Sequence, residues 1–163
     1  MKPYILAIDQ STQGTKGVVF DGEGTLLARA DRPHAQKIDA NGWVEHDPRE
    51  ILQNTLAVAR AALEKAGVDP ADLAAVGISN QRETVLAWDK TTGQPLYNAI
   101  VWQCGRAKDL CARLADAAPM VRQKTGLPLS PYFSAPKLAW MLEHIPAVRQ
   151  AADAGTLCCG TVD

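Results

Sequence analysis

An apolar run ends at an aspartate and passes into small polar residues in Asp9-Gln10-Ser11-Thr12-Gln13-Gly14-Thr15-Lys16. Successive backbone N–H groups in such a turn can close on an anion, and Lys16 adds positive charge. If the anion is a phosphate, Thr12 can donate to one of its oxygens. Asp9 can then hold Mg²⁺, through water, because that ion sheds its shell reluctantly. On spacing alone the same residues equally make a polar hairpin loop with no ligand. A second cluster, Asn80-Gln81-Arg82-Glu83-Thr84, has five consecutive hydrogen-bonding side chains. Arg82 only donates and Glu83 only accepts, so the adjacent pair can grip neighbouring hydroxyls of a polyol. In Asn98-Ala99-Ile100-Val101-Trp102-Gln103 an apolar strand ends in an indole, which can lie against the C–H face of a carbon chain. Pro131-Tyr132-Phe133-Ser134 places a phenol in a loop ahead of a helix. Each of these three also has a plainer reading: a solvated loop, a core tryptophan, a phenol bonded to a nearby carbonyl. Trp43 and His46 read as packing and helix entry.

The elements that must position these residues follow from periodicity and punctuation. Tyr4–Ile8, Thr15–Asp21 and Thr25–Ala30 read as three successive strands, with Asp21-Gly22-Glu23-Gly24 as a tight turn between the last two. The segment from Asp9 to Gly14 is too polar for strand core. Asp47 as N-cap, Pro48 at the first helical position and Glu50 in a capping-box pattern open a helix. Leu52, Leu56, Ala59 and Leu63 recur along it at helical spacing, and Gly67 stops it. Strands follow at Leu73–Ser79, Thr84–Trp88 and Ala99–Trp102, with a turn at Lys90–Gly93. Helical patterns cover Arg106–Ala115 and Pro136–Ile145, the second with Ser134 as a cap, and Leu157–Cys159 is a last short strand. A meander followed by alternating strands and helices implies an α/β fold with a mixed sheet and an antiparallel edge.

The 163 residues carry a net charge of −1 and are 47% hydrophobic and 21% charged. That balance offers no electrostatic reason for a nucleic-acid or anionic-membrane partner. Apolar runs are far shorter than a membrane span, and the start reads as a first strand rather than a signal peptide. Cys104, Cys111, Cys158 and Cys159 form no C-x-x-C pair and read as reduced thiols. His34, His46 and His144 are scattered, so no metal site is expected from cysteine or histidine.

Taken together, the segments resemble the FGGY carbohydrate kinases, most closely the members that phosphorylate glycerol. The resemblance rests on Ile8–Thr12, Gly42–Pro48, Gly77–Thr84, Tyr97–Cys104, Pro131–Ser134 and Gly160–Asp163, in family order along the whole chain. It implies an actin/ribonuclease H-like domain and transfer of the ATP γ-phosphate to a primary hydroxyl of glycerol. It implies that Arg82, Glu83, Trp102 and Tyr132 line the polyol pocket. It further implies that Asp9 serves the Mg²⁺ site and that Thr12, Gln13, Gly14 and Lys16 contact nucleotide phosphates. The chain departs from the family at Ser11, Gln13, Gly14 and Lys16, where glycine, two hydroxyl residues and arginine are usual, and Gly105 precedes Arg106 where two arginines are usual. Other members act on xylulose, erythritol and related substrates, and a non-catalytic binding module on the same fold is a further alternative.

The resemblance also implies that residues 1–163 are an incomplete N-terminal domain. The catalytic base, an aspartate in a Gly-Asp-Gln motif, and a second, nucleotide-binding domain would lie beyond Asp163. The expected setting is a cytoplasmic enzyme, with a homo-oligomer among the options when full length and the isolated piece inactive.

Overall fold

The computed structural model describes residues 3–163, which form two compact units. One comprises the residues up to Gln36, Asp47–Gln81 and Val162–Asp163; the other comprises Lys37–His46 and Arg82–Thr161.

The first unit is a four-stranded sheet with one helix against it. Its strands are β1 (Tyr4–Gln10), β2 (Gly14–Phe20), β3 (Leu26–Pro33) and β6 (Leu73–Asn80), in the order β3-β2-β1-β6. β1, β2 and β3 pair antiparallel, while β6 joins β1 in parallel, which gives the expected mixed sheet. β1 runs two residues further than its apolar run. Asp9 and Gln10 stay in the ladder opposite Lys16 and Thr15, because the cross-strand charge and a buried amide hydrogen bond replace apolar packing.

Helix α1 (Pro48–Ala66) starts where its punctuation predicts. The Asp47 carboxylate accepts from the Arg49 N–H at 2.9 Å, Pro48 fills the first turn, and Gly67 ends the helix at φ +65. Glu50 Oε1 receives the Ala35 N–H at 3.0 Å. The buried face is Ile51, Asn54, Thr55, Val58, Ala62 and Leu63, whereas Leu52 and Leu56, part of the apolar stripe seen in sequence, are exposed. Leu6, Ile8 and Val19 meet that face from the sheet, and each such buried aliphatic side chain contributes about 1.5–3 kcal/mol. Strand alternation sends Ala7, Asp9, Lys16 and Val18 to the opposite side, where they line an open concavity of ≈ 500 Å³. Val76 and Ile78 on β6 are also left exposed.

The second unit contains an antiparallel sheet with the order β4-β5-β8-β7-β9. Its strands are β4 (Lys37–Ile38), β5 (Val44–His46), β7 (Val85–Asp89), β8 (Ala99–Ile100) and β9 (Leu157–Thr161). Strands after β6 therefore do not extend the mixed sheet, which element order alone could not reveal. Helices α2 (Lys108–Arg113), α3 (Ala118–Thr125), α4 (Ser134–His144) and α5 (Pro146–Asp153) complete the unit. The predicted Arg106–Ala115 helix is shorter because Arg106 is drawn into the core. Its guanidinium carbon lies 4.8 Å from the Trp43 ring and 4.8 Å from the Trp140 ring, and it pairs with Glu45 at 2.7 Å. Trp43 is thus a packing residue, as its context suggested. The four cysteines are free thiols. No helix among the described residues is long and apolar enough to cross a membrane.

At Gly17 the helix lies close against the sheet, since a Cβ there would sit 2.8 Å from the Val58 carbonyl oxygen. Gly17→Ala is expected to destabilise the chain by about 1–3 kcal/mol by forcing α1 away from β2. A urea midpoint equal to that of the unaltered chain would contradict this contact.

Candidate functional site

The predicted polyol residues all fall in the second unit. The turn after β6 carries Arg82 and Glu83, and Glu83 is the only non-glycine residue with positive φ, +67, among the described residues. A left-handed glutamate costs about 1 kcal/mol or more, so the surrounding contacts must hold it there. They are visible. Glu83 Oε2 accepts from the Ser134 N–H at 3.2 Å and from its hydroxyl at 2.9 Å. A carboxylate 51 positions earlier thus meets the first residue of α4, where the unpaired N–H groups and the helix dipole favour negative charge. Ser134, expected as the cap, is the first helical residue and donates to Glu83 instead.

Trp102 and Tyr132 are brought together as well. Their ring centroids lie 5.9 Å apart, edge to face, and Tyr132 meets Phe133 in the same manner at 5.1 Å. The Trp102 N–H donates to Thr84 Oγ1 at 3.1 Å, which ties the end of β8 to the residue after Glu83. Trp102 is half-buried and Tyr132 exposed, so both present surface to solvent. Arg82 is exposed and makes no hydrogen bond or ion pair among the described residues. Of the four predicted residues Trp102 and Tyr132 touch directly, Glu83 is tied to them through Ser134 and Thr84, and Arg82 is joined only as the chain neighbour of Glu83.

Sequence reasoning missed Lys137. It lies on α4, fully buried, and its ammonium donates to the carbonyl oxygens of Tyr132 and Phe133. Burial pushes this ammonium down to about 8, against the opposing pull of Glu83. The signal available in sequence was a lone lysine in an apolar helical pattern, which normally reads as a snorkelling surface residue.

The predicted phosphate residues all fall in the first unit. Ser11 and Gly14 close the β1–β2 hairpin, with Ser11 N–H to Gly14 O at 2.9 Å and Gly14 N–H to Ser11 O at 3.3 Å. The Gly14 N–H is therefore already engaged. Its lack of a side chain has a steric cause, because a Cβ would stand 2.4 Å from the Arg32 carbonyl oxygen. Thr12 and Gln13 form the tip, Gln13 exposed. Lys16 Nζ donates to Asp9 Oδ2 at 2.8 Å and lies 3.5 Å from Ser11 Oγ, so the predicted cation and the predicted carboxylate neutralise each other.

Beneath the hairpin runs a buried polar chain that sequence reading also passed over. The Gln13 carbonyl accepts from the His34 N–H at 3.0 Å. The His34 ring lies between Thr15 Oγ1 at 2.9 Å and Asn54 Nδ2 at 3.1 Å. Because the Asn54 amide nitrogen can only donate, His34 Nδ1 accepts, and Nε2 carries the proton toward Thr15. Burial lowers the pKa of His34, in keeping with that neutral form.

No group of three or more His, Cys, Asp or Glu among the described residues could hold a metal ion. A single carboxylate such as Asp9 still fits Mg²⁺, which commonly takes one or two carboxylates and fills its remaining positions with water and phosphate.

The model of the FGGY family of carbohydrate kinases, N-terminal domain, matches residues 4–163. The chain belongs to this family. Glycerol kinase from Methylorubrum extorquens is 54% identical over 165 residues, covering 100% of this chain and 33% of the relative. The crystal structure of Plasmodium falciparum glycerol kinase with ADP superposes with a TM-score of 0.89 at 37% identity, over 99% of this chain and 33% of that one. Xylulose kinase from Rhodospirillum rubrum superposes at 0.81 with 25% identity, over 91% and 30%. These neighbours share the actin/ribonuclease H-like α/β fold expected from the sequence. The FGGY chain described here spans about a third of the length of the curated relatives it matches.

The depressed Lys137 has a measurable consequence. Between pH 8 and its ordinary value of 10.5 the unfolded chain binds more protons at this lysine than the folded chain does, so stability rises with pH across that window. Relative to Lys137→Met, the gain is expected to reach about 3 kcal/mol, at roughly 1.4 kcal/mol per pH unit. Urea titrations of both proteins from pH 7 to 10.5 read the difference, and parallel pH profiles would refute it.

Proposed function

We propose that this FGGY chain supplies the polyol pocket and the first phosphate hairpin of an ATP- and Mg²⁺-dependent kinase that phosphorylates a primary hydroxyl of glycerol. The observation that carries this reading is the Trp102–Tyr132 ring pair beside a Glu83 carboxylate anchored to the neighbouring loop. The rings offer an apolar wall to the C–H face of a three-carbon chain. Glu83 spends only Oε2 on Ser134, so Oε1 can accept from a substrate hydroxyl, while the adjacent Arg82 donates to the next one. High identity to glycerol kinases along the whole chain supports the choice of substrate.

In the phosphate half, Lys16 is proposed to exchange Asp9 for a phosphate oxygen. That exchange frees the carboxylate to hold the waters of the metal. The Thr12 hydroxyl and the Gln13 amide donate from the hairpin tip, and Gly14 contributes the room that lets β3 close behind it. Bound Mg²⁺ would neutralise charge on the phosphate oxygens during transfer. No residue of this chain is assigned as the base that takes the hydroxyl proton. Transfer depends on positioning between closing lobes, so the base and the adenine-binding lobe are assigned outside these 163 residues.

Saturation-transfer NMR of the chain with glycerol, erythritol and xylulose tests the pocket. Glycerol is expected to bind best, and Glu83→Gln or Arg82→Met to weaken it by about 10–100-fold. Preference for xylulose would move the reading to a ketose kinase, and binding indifferent to both substitutions would remove the pocket. In a coupled ADP-release assay the 163-residue chain alone is expected to show no glycerol-dependent turnover.

A further inference from the structure

We propose that Lys137 is a positioning residue for the polyol pocket: its buried ammonium clasps the carbonyls of Tyr132 and Phe133 and so sets where the Tyr132 phenol stands against Trp102. The inference rests on the polyol reading above and extends it to a residue that touches no substrate.

The geometry has a direction that stability alone does not explain. Lys137 lies in the first turns of α4 and reaches back toward that helix's N-terminus. A cation there opposes the helix dipole, and burying it adds a desolvation penalty. An apolar side chain of similar length would fill the same space without either. What the ammonium gains is two carbonyls just outside the helix, at Tyr132 and Phe133, and a place 5.8 Å from the centre of the Tyr132 ring. On the next residue, Ser134, Glu83 takes hold through the backbone N–H and the hydroxyl. Three consecutive residues are therefore gripped by opposite charges, the carbonyl side by Lys137 and the N–H side by Glu83. The grip leaves the Tyr132 side chain exposed with its ring against Trp102. A loop held at one end only could let the phenol swing away from the indole, and the polyol would then pay for ordering it on binding.

The test uses the complete kinase that carries this domain. Lys137→Met removes every donor, and Lys137→Gln keeps two N–H groups without charge. Lys137→Met is expected to raise KM for glycerol about tenfold or more, with KM for ATP within about twofold and kcat changed less than KM. Lys137→Gln is expected to recover most of the loss. In the 163-residue chain, NOE contacts between the Tyr132 and Trp102 rings should weaken in Lys137→Met and persist in Lys137→Gln. A folded Lys137→Met with unchanged KM for glycerol, or with both KM values rising together, would overturn the inference. So would loss of folding in both variants, which would make Lys137 a stability residue only. Absence of glycerol turnover in the unaltered kinase would remove the polyol reading itself, whereas normal turnover with an unmoved KM removes only this inference.

Discussion

The left-handed turn at Glu83 is the constraint on which the second unit's site depends. An L-residue other than glycine avoids that conformation, and here it is held because the carboxylate it aims finds the N-terminus of α4. One side chain thereby joins a strand-end turn to a helix 51 positions later, and the helix brings Tyr132 with it. Trp102 is set from the other side by the N–H it donates to Thr84, the residue next to Glu83. The residues of the proposed polyol site are therefore not independent placements. They are consequences of a short stretch of chain, residues 83 and 84, reaching two different elements.

The first unit solves a different problem, which is to support a polar hairpin from one face by hydrogen bonds. Strand alternation separates the two jobs. Residues facing α1 are apolar near the start of β1 and become hydrogen-bonded amides and hydroxyls near the hairpin, where Gln10 reaches Thr55 and His34 bridges Thr15 and Asn54. The helix therefore packs through a polar patch at that end, and the patch reaches the hairpin tip through the His34 N–H on the Gln13 carbonyl. On the opposite face Asp9 and Lys16 pair across the ladder at half-exposed positions, where an ion pair contributes little to stability and is cheaply exchanged. A pair that is easy to break suits residues that would later serve a phosphate and a metal.

Much of this was legible along the chain. Asp47-Pro48 and Gly67 bounded α1 because caps act within one turn of the residues that make them. Asn80–Thr84 stood out because consecutive hydrogen-bonding side chains at a strand end have few local uses. The errors were of another kind. Leu52 and Leu56 carry the apolar spacing of a buried face, yet the sheet takes Asn54 and Thr55 instead, since those two find partners in Gln10 and His34. Arg106 read as a helix start and is a cation between two indoles. Lys137 drew no notice in the sequence and is fully buried.

Sequence by itself determined the residue chemistry, the succession of the longer strands and helices, the two ends of α1, and the family, because each depends on neighbours within a few positions or on motif strings, whereas the short β4 and β5 and the helices α3 and α5 were not read from it. Tertiary structure alone decided that the later strands form a second sheet, that Glu83 rather than Ser134 serves the N-terminus of α4, and that Lys137 grips the Tyr132 loop. Those outcomes depend on hydrogen bonds and charges meeting across long separations, and a side chain's type says what it can bond to but not which distant partner the fold will deliver.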